Sequence, residues 1–147
     1  MAKLILIVED DVDVAESVAD VLQSAGYCTA IAGNGREALD HLQKNNHPDL
    51  ILLDMMMPVM DGWQFRAEQR KLPACDSIPV VTVTADGDAR GKAASIQAAG
   101  HIVKPFMASA NSRNSRSFLS SASCACFCSV TSSTVPIILT GSPVGVR

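Results

Sequence analysis

Aromatic residues make up only 4% of this 147-residue chain, so any core must be packed from aliphatic side chains. No stretch reaches the roughly 18 uninterrupted apolar residues of a membrane-spanning helix. The opening "KLILIVEDD" has too short an apolar run for a secretory signal and turns acidic at once, which reads as a strand of a cytoplasmic protein. Lysine and arginine form no block and the formal net charge is −3, so neither direct nucleic-acid binding nor a membrane contact is expected. The five cysteines are odd in number: Cys28 and Cys75 stand alone, and three crowd into "CACFC" near the end. That is no disulfide framework. The cysteine cluster also lacks a nearby histidine or fourth ligand, so a zinc site is not expected there.

What is present is a 48% hydrophobic composition against 18% charged residues, enough for one substantial core. Residues 1–106 alternate between short apolar runs and helical patterns. Strands are predicted at Leu4–Val8, Tyr27–Ala32, Leu50–Leu53, Val80–Val83 and Ile102–Val103. Between them lie predicted helices over Asp13–Ala25, Arg36–Lys44, Trp63–Lys71 and Gly87–Ala99, the first stopped by Gly26. Apolar, β-branched strands alternating with helices predict an α/β fold with a doubly wound parallel sheet covered on both faces.

In such sheets ligands bind beyond the carboxyl ends of the strands. Strand one is followed by Glu9, Asp10 and Asp11, strand three ("DLILLD") by Asp54, strand four by Thr84, and strand five by Lys104-Pro105-Phe106. Acids, a hydroxyl and an ammonium from distant positions therefore converge on one edge. Carboxylates held close together repel one another unless a cation intervenes. Mg²⁺ suits them, being a hard ion that takes oxygen ligands and commonly keeps waters and phosphate. Lys104 can neutralise a phosphoryl oxygen and Thr84 can donate a hydrogen bond to another. Asp54 can then act as nucleophile in an in-line phosphoryl transfer.

The set "LILIVEDD", "DLILLDMMMPVMDG", "IPVVTVTA" and "IVKPF" resembles the receiver domain of two-component response regulators over residues 3–106. The resemblance implies a flavodoxin-like five-stranded sheet in the order 2-1-3-4-5. It implies that Asp54 is the phospho-acceptor, taking its phosphoryl group from a sensor histidine kinase or a histidine phosphotransfer protein. Glu9, Asp10 and Asp54 would bind Mg²⁺ with the backbone carbonyl of Met56. Thr84 would be the switch hydroxyl, the Ala85 backbone N–H would lie beside the phosphoryl group, and Lys104 would pair with a phosphoryl oxygen. The Lys104–Pro105 peptide would be cis, and His101 would occupy the switch aromatic position.

Other uses of the same residues are simpler. Asp11 is expected to cap the following helix, since acids favour helix N-termini. His41 and His47 are read as surface or loop residues without a ligand role, the three methionines as packing and loop filler, and Trp63 as a packing residue. The apolar Met56 would not orient a hydrolytic water, so dephosphorylation is expected to be slow to moderate. Pro58, Asp61 and Gly62 shape the turn into the next helix. "GNGREA", Gly33 to Ala38, matches the dinucleotide fingerprint G-x-G-x-x-A, but that reading leaves Glu9, Asp10, Thr84 and Lys104 without a role.

After Phe106 the composition breaks. The segment 107–147 has no acidic residue and no lysine, and where the family's fifth amphipathic helix would lie it carries Asn111 and Ser115. That helix is expected to be absent or atypical. The segment reads as a frame-shifted translation or a disordered Ser- and Cys-rich tail. The whole is expected to be a stand-alone receiver, residues 1–106, which catalyses only its own phosphoryl transfer and dephosphorylation and acts through a separate downstream protein. The alternatives are a receiver-like interaction module without phosphoryl turnover and a dinucleotide-binding fragment.

Overall fold

The computed structural model describes residues 2–44, 47–85 and 89–103. The strands are β1 (Leu4–Val8), β2 (Cys28–Ala32), β3 (Leu50–Asp54), β4 (Val80–Thr84) and β5 (Gly100–Val103). The helices are α1 (Val12–Ser24), α2 (Gly35–Gln43), α3 (Gly62–Gln69) and α4 (Ala89–Ser95). All strand pairs are parallel and the sheet order is β2-β1-β3-β4-β5, as expected from the sequence. Lys104, the Lys104–Pro105 peptide, Phe106, the segment 107–147 and the expected start of the fourth helix at Gly87 lie outside the described residues.

Strand periodicity divides the core in two, because successive side chains point to opposite faces. Leu6, Val8, Ile51, Leu53 and Val80 join Ala38, Leu39 and Leu42 of α2 and Phe65 of α3 in one cluster. Ile5, Ile7, Leu50, Leu52, Val81 and Val83 join Ala15, Val18, Ala19 and Leu22 of α1 in the other. β3, buried along its whole length, is the central strand and contributes to both. Each fully buried leucine or isoleucine adds about 1.5–3 kcal/mol of transfer free energy. Among the described residues no helix is long and apolar enough to cross a membrane.

The helix ends follow local chemistry. Asp11 caps α1 by accepting from the Val14 amide at 3.2 Å, as expected. At the other end Gly26, with φ +92°, supports a Schellman turn in which Gly26 N–H donates to the Gln23 carbonyl and Tyr27 N–H to that of Leu22. Asp61 and Gln64 form a reciprocal capping box at the start of α3.

α4 ends at Ser95, four residues before the expected Ala99. The cause is a second Schellman turn. Gln97 stands at φ +52°, its amide donates to the Ala94 carbonyl, and that of Ala98 donates to the Ala93 carbonyl. A non-glycine residue in this conformation needs support, and Arg70 Nη2 donates to Gln97 Oε1 at 2.6 Å.

Candidate functional site

The carboxyl ends of β1 and β3 place the acids. β1 and β3 are in register through Val8 opposite Leu53, so Glu9, just past β1, and Asp54, the last residue of β3, come side by side at the sheet edge. Glu9 is held by its backbone, whose amide donates to the Ala32 carbonyl at 3.1 Å. Glu9 and Asp54 are only 5% and 6% exposed, whereas Asp10 faces solvent. Each of the three offers a carboxylate oxygen, and those oxygens lie within 4.8 Å of one another.

The segment after β3 holds Asp54 in place. The Met56 amide donates to Asp54 Oδ1 at 3.0 Å, and the Gly62 amide donates to the Met55 carbonyl at 3.2 Å. Gly62 is required here: a Cβ on it would stand 2.7 Å from Met55 Sδ and 3.0 Å from the Asp54 carbonyl oxygen. The next turn contains Val59 at φ +69°, a conformation that β-branched residues rarely adopt, and the residue is 81% exposed. Strain of this kind collects at functional sites.

Thr84 is fully buried at the end of β4, one position beyond the Val83 that pairs with Asp54. Ala85 follows it, exposed, at the mouth of the same edge. His101 lies half-buried on β5, opposite Thr82 and two positions before Val103, the partner of Thr84. Glu9, Asp10, Asp54, Thr84 and Ala85 therefore share one edge of the sheet, with His101 set back within it.

The donor set is informative as chemistry. Three carboxylates with no histidine or thiol among them match a hard divalent cation such as Mg²⁺, and not the nitrogen and sulfur preferences of zinc or copper.

The "GNGREA" turn is engaged in its own fold. Asn34 caps α2, and the Gly33 amide donates to Glu37 Oε2 at 2.8 Å, so the helix N-terminus already holds a carboxylate from its own chain. Gly35 is a close approach, since a Cβ there would lie 2.8 Å from Met60 Cγ. Neither glycine needs a pyrophosphate to explain it.

The response regulator receiver domain model matches residues 5–111. The chain belongs to this family. The DNA-binding response regulator MtrA of Mycobacterium tuberculosis is 36% identical over 108 residues, which is 72% of this chain and 46% of that protein. The chemotaxis response regulator CheY4 of Vibrio cholerae superimposes with a TM-score of 0.67 at 32% identity, covering 72% of this chain and 89% of that one. The Mn²⁺-bound form of response regulator Rcp1 gives a TM-score of 0.61 at 30% identity, covering 69% and 81%. The chain spans less than half the length of the curated relatives it matches.

Several features of this receiver were not foreseen. Trp63, the only tryptophan, is partly exposed and links α3 to α4: its Nε1 donates to Ser95 Oγ at 3.0 Å, and Lys92 Nζ stands 6.0 Å from the ring centroid. Arg66 is buried, donating from Nε to the Ile96 carbonyl and from Nη1 to Gln69 Oε1, while Gln69 Nε2 donates to the Cys75 carbonyl. Burial, then the neighbouring Arg70, lowers the Arg66 pKa, against the opposing pull of Asp76.

His47 is an exposed loop residue as expected, but its Nδ1 lies 3.5 Å from the buried Cys75 Sγ. His41, expected at the surface, is half-buried on α2 instead, with its Nδ1 shielded from solvent. A Lys or Arg on a short amphipathic helix ordinarily reads as a solvated position, so nothing in the spacing distinguished Arg66.

Proposed function

We propose that Asp54 is the phospho-acceptor of this receiver, and that the phosphoryl group comes from the phosphohistidine of a sensor histidine kinase or histidine phosphotransfer protein. The observation that carries the reading is the meeting of three carboxylates from β1 and β3 at one sheet edge, with their oxygens within 4.8 Å. Glu9, Asp10 and Asp54 would hold Mg²⁺, with the Met56 backbone carbonyl as a further oxygen ligand. A relative in a divalent-metal-bound form, the Mn²⁺-bound Rcp1, supports this choice. Bound there, the ion supplies neutralising charge for the phosphoryl oxygens.

The chain's own residues supply the remainder. Asp54 attacks phosphorus through a carboxylate oxygen, the new P–O bond forms as the P–N bond to the donor imidazole breaks, and the imidazole leaves. The Met56 amide limits rotation of the carboxylate, so the nucleophile is oriented before the donor arrives. Lys104 offsets charge on a phosphoryl oxygen, while the Thr84 hydroxyl and the Ala85 amide donate hydrogen bonds to others. The phosphoryl group thus interacts differently with two arrangements of the loops around Thr84 and His101, which is the condition for shifting a population between them. Output passes to a partner protein, and the setting is cytoplasmic. Turnover of the protein's own acyl phosphate is the only catalysis in this scheme.

Intact-mass spectrometry after incubation with acetyl phosphate and Mg²⁺ tests the reading. The expected result is a single phosphoryl adduct that requires Mg²⁺ and is lost in Asp54→Asn. A folded protein that forms no adduct would instead be a constitutive interaction module.

A further inference from the structure

The methionines around the acceptor differ sharply in exposure. Met55 is fully buried and Met57 is 9% exposed, but Met56 between them is 64% exposed. Met60 is half-buried, packed against Gly35. An apolar residue this exposed has little packing role, and it stands open to solvent two positions after Asp54. The same residue's backbone amide is bonded to Asp54 Oδ1, so residue 56 adjoins the acceptor.

From this geometry we infer that Met56 is a redox modification site, oxidised by hydroperoxides to the sulfoxide, which shortens the lifetime of the phosphorylated receiver. The inference rests on Asp54 being the phospho-acceptor. In the chemical step a lone pair on the thioether sulfur attacks one peroxide oxygen. The S–O bond forms as the O–O bond breaks, and the other oxygen leaves with a proton as water or an alcohol. Sulfur is oxidised by two electrons and the peroxide is reduced by two. The apolar thioether thereby becomes a strong hydrogen-bond acceptor. A sulfoxide oxygen at the mouth of the site can hold a water near the acyl phosphate, where the thioether can only exclude one.

The neighbouring sulfurs are shielded, so oxidation is selective. Met55 lies beneath Gly62, and Met57 is enclosed in the hydrophobic cluster that includes Phe65. Reversal requires only a methionine sulfoxide reductase, which makes the change a switch and not simply damage.

The test treats the full-length protein briefly with hydrogen peroxide and locates the added oxygen by tandem mass spectrometry, with fragment ions separating Met55, Met56 and Met57. Treated and untreated samples are then phosphorylated with acetyl phosphate and Mg²⁺, and the decay of the adduct is followed after the donor is removed. Oxygen is expected on Met56 before Met55, Met57 or Met60. The decay should be faster by about two- to tenfold, the factor that one ordinary hydrogen bond supplies. Met56→Leu should lose the peroxide response, and Met56→Gln should decay fast without peroxide. Oxygen arriving first on another of these methionines, or on Met56 with an unchanged decay, would overturn the proposal. A folded, untreated protein that takes no phosphoryl group would overturn the acceptor reading and the lifetime effect together, while the order of oxidation would still decide whether Met56 is the modification site.

Discussion

Replacing Asp54 with asparagine removes one charge from the acid cluster while keeping its shape. Glu9 and Asp54 are both buried, with oxygens no farther apart than 4.8 Å. At an effective dielectric constant of about 20, two unit charges at that distance repel by roughly 3.5 kcal/mol. The asparagine oxygen still accepts from the Met56 amide, but a neutral acceptor is weaker than a carboxylate by about 1–1.5 kcal/mol. Glu9 and Asp54 also have other partners, which offset part of the repulsion, so the metal-free variant should be more stable than the parent by at most about 2 kcal/mol, a rise in the thermal midpoint of no more than roughly 8 °C for a domain of this size.

Mg²⁺ should narrow the difference, because binding to the folded state at ten times Kd adds about 1.4 kcal/mol to the parent and much less to a variant lacking one ligand. Circular dichroism melts of both proteins, in chelator and in Mg²⁺, measure both effects. A variant less stable than the parent in chelator, or an equal gain from Mg²⁺ in both, would refute the view that these carboxylates form a repulsive cluster built for a cation.

Gly62→Ala should lower the urea midpoint by the equivalent of about 1–3 kcal/mol, because the new Cβ meets backbone at Met55 and Asp54; Gly33→Ala, whose nearest neighbour is a flexible Glu37 oxygen at 3.4 Å, should be near neutral. Val59→Gly should stabilise by about 1 kcal/mol in the same assay, since relief of about 1–3 kcal/mol of strain exceeds the entropy that glycine adds to the unfolded chain. Arg66→Met should destabilise by about 2–4 kcal/mol by leaving the Ile96 carbonyl and Gln69 Oε1 without their donor, and a loss below about 0.5 kcal/mol would contradict the network. Burial raises the Cys75 thiol pKa above its ordinary value of 9.0. The unfolded chain loses that proton first, so the contribution is complete below pH 9.0 and is lost as pH rises toward the folded value; urea titrations across that range should show a decline in the parent that is smaller in Cys75→Ala.

Much of this receiver was legible in its sequence, for physical reasons. Apart from Asp54 at the end of β3, the strands are runs without Asp, Glu, Lys or Arg, and a parallel sheet directs its strand ends to one edge. Asp54, Glu9, Asp10 and Thr84 therefore group together on the sequence alone. The end of α4 was misplaced because Ala98 and Ala99 continue a helical pattern, while the residue that breaks it is a glutamine and not a glycine. The left-handed Gln97 bonds through its side chain to Arg70, twenty-seven positions away in sequence, a contact that no local spacing reveals. The same limit hid Arg66 and Gln69, buried polar residues whose partners include the carbonyls of Ile96 and Cys75, beyond the end of α3. Positive φ at Val59 has no signal in its residue type, which argues against that conformation.

The central claim is that one particular carboxylate carries the phosphoryl group. Phosphorylating the protein with acetyl phosphate and Mg²⁺, reducing the acyl phosphate with borohydride and sequencing the resulting peptides tests it most directly, since a reduced aspartyl phosphate becomes homoserine. Homoserine at position 54 alone is the predicted result. Homoserine at Asp10 or Asp11, or none in a protein that remains folded, would contradict the account.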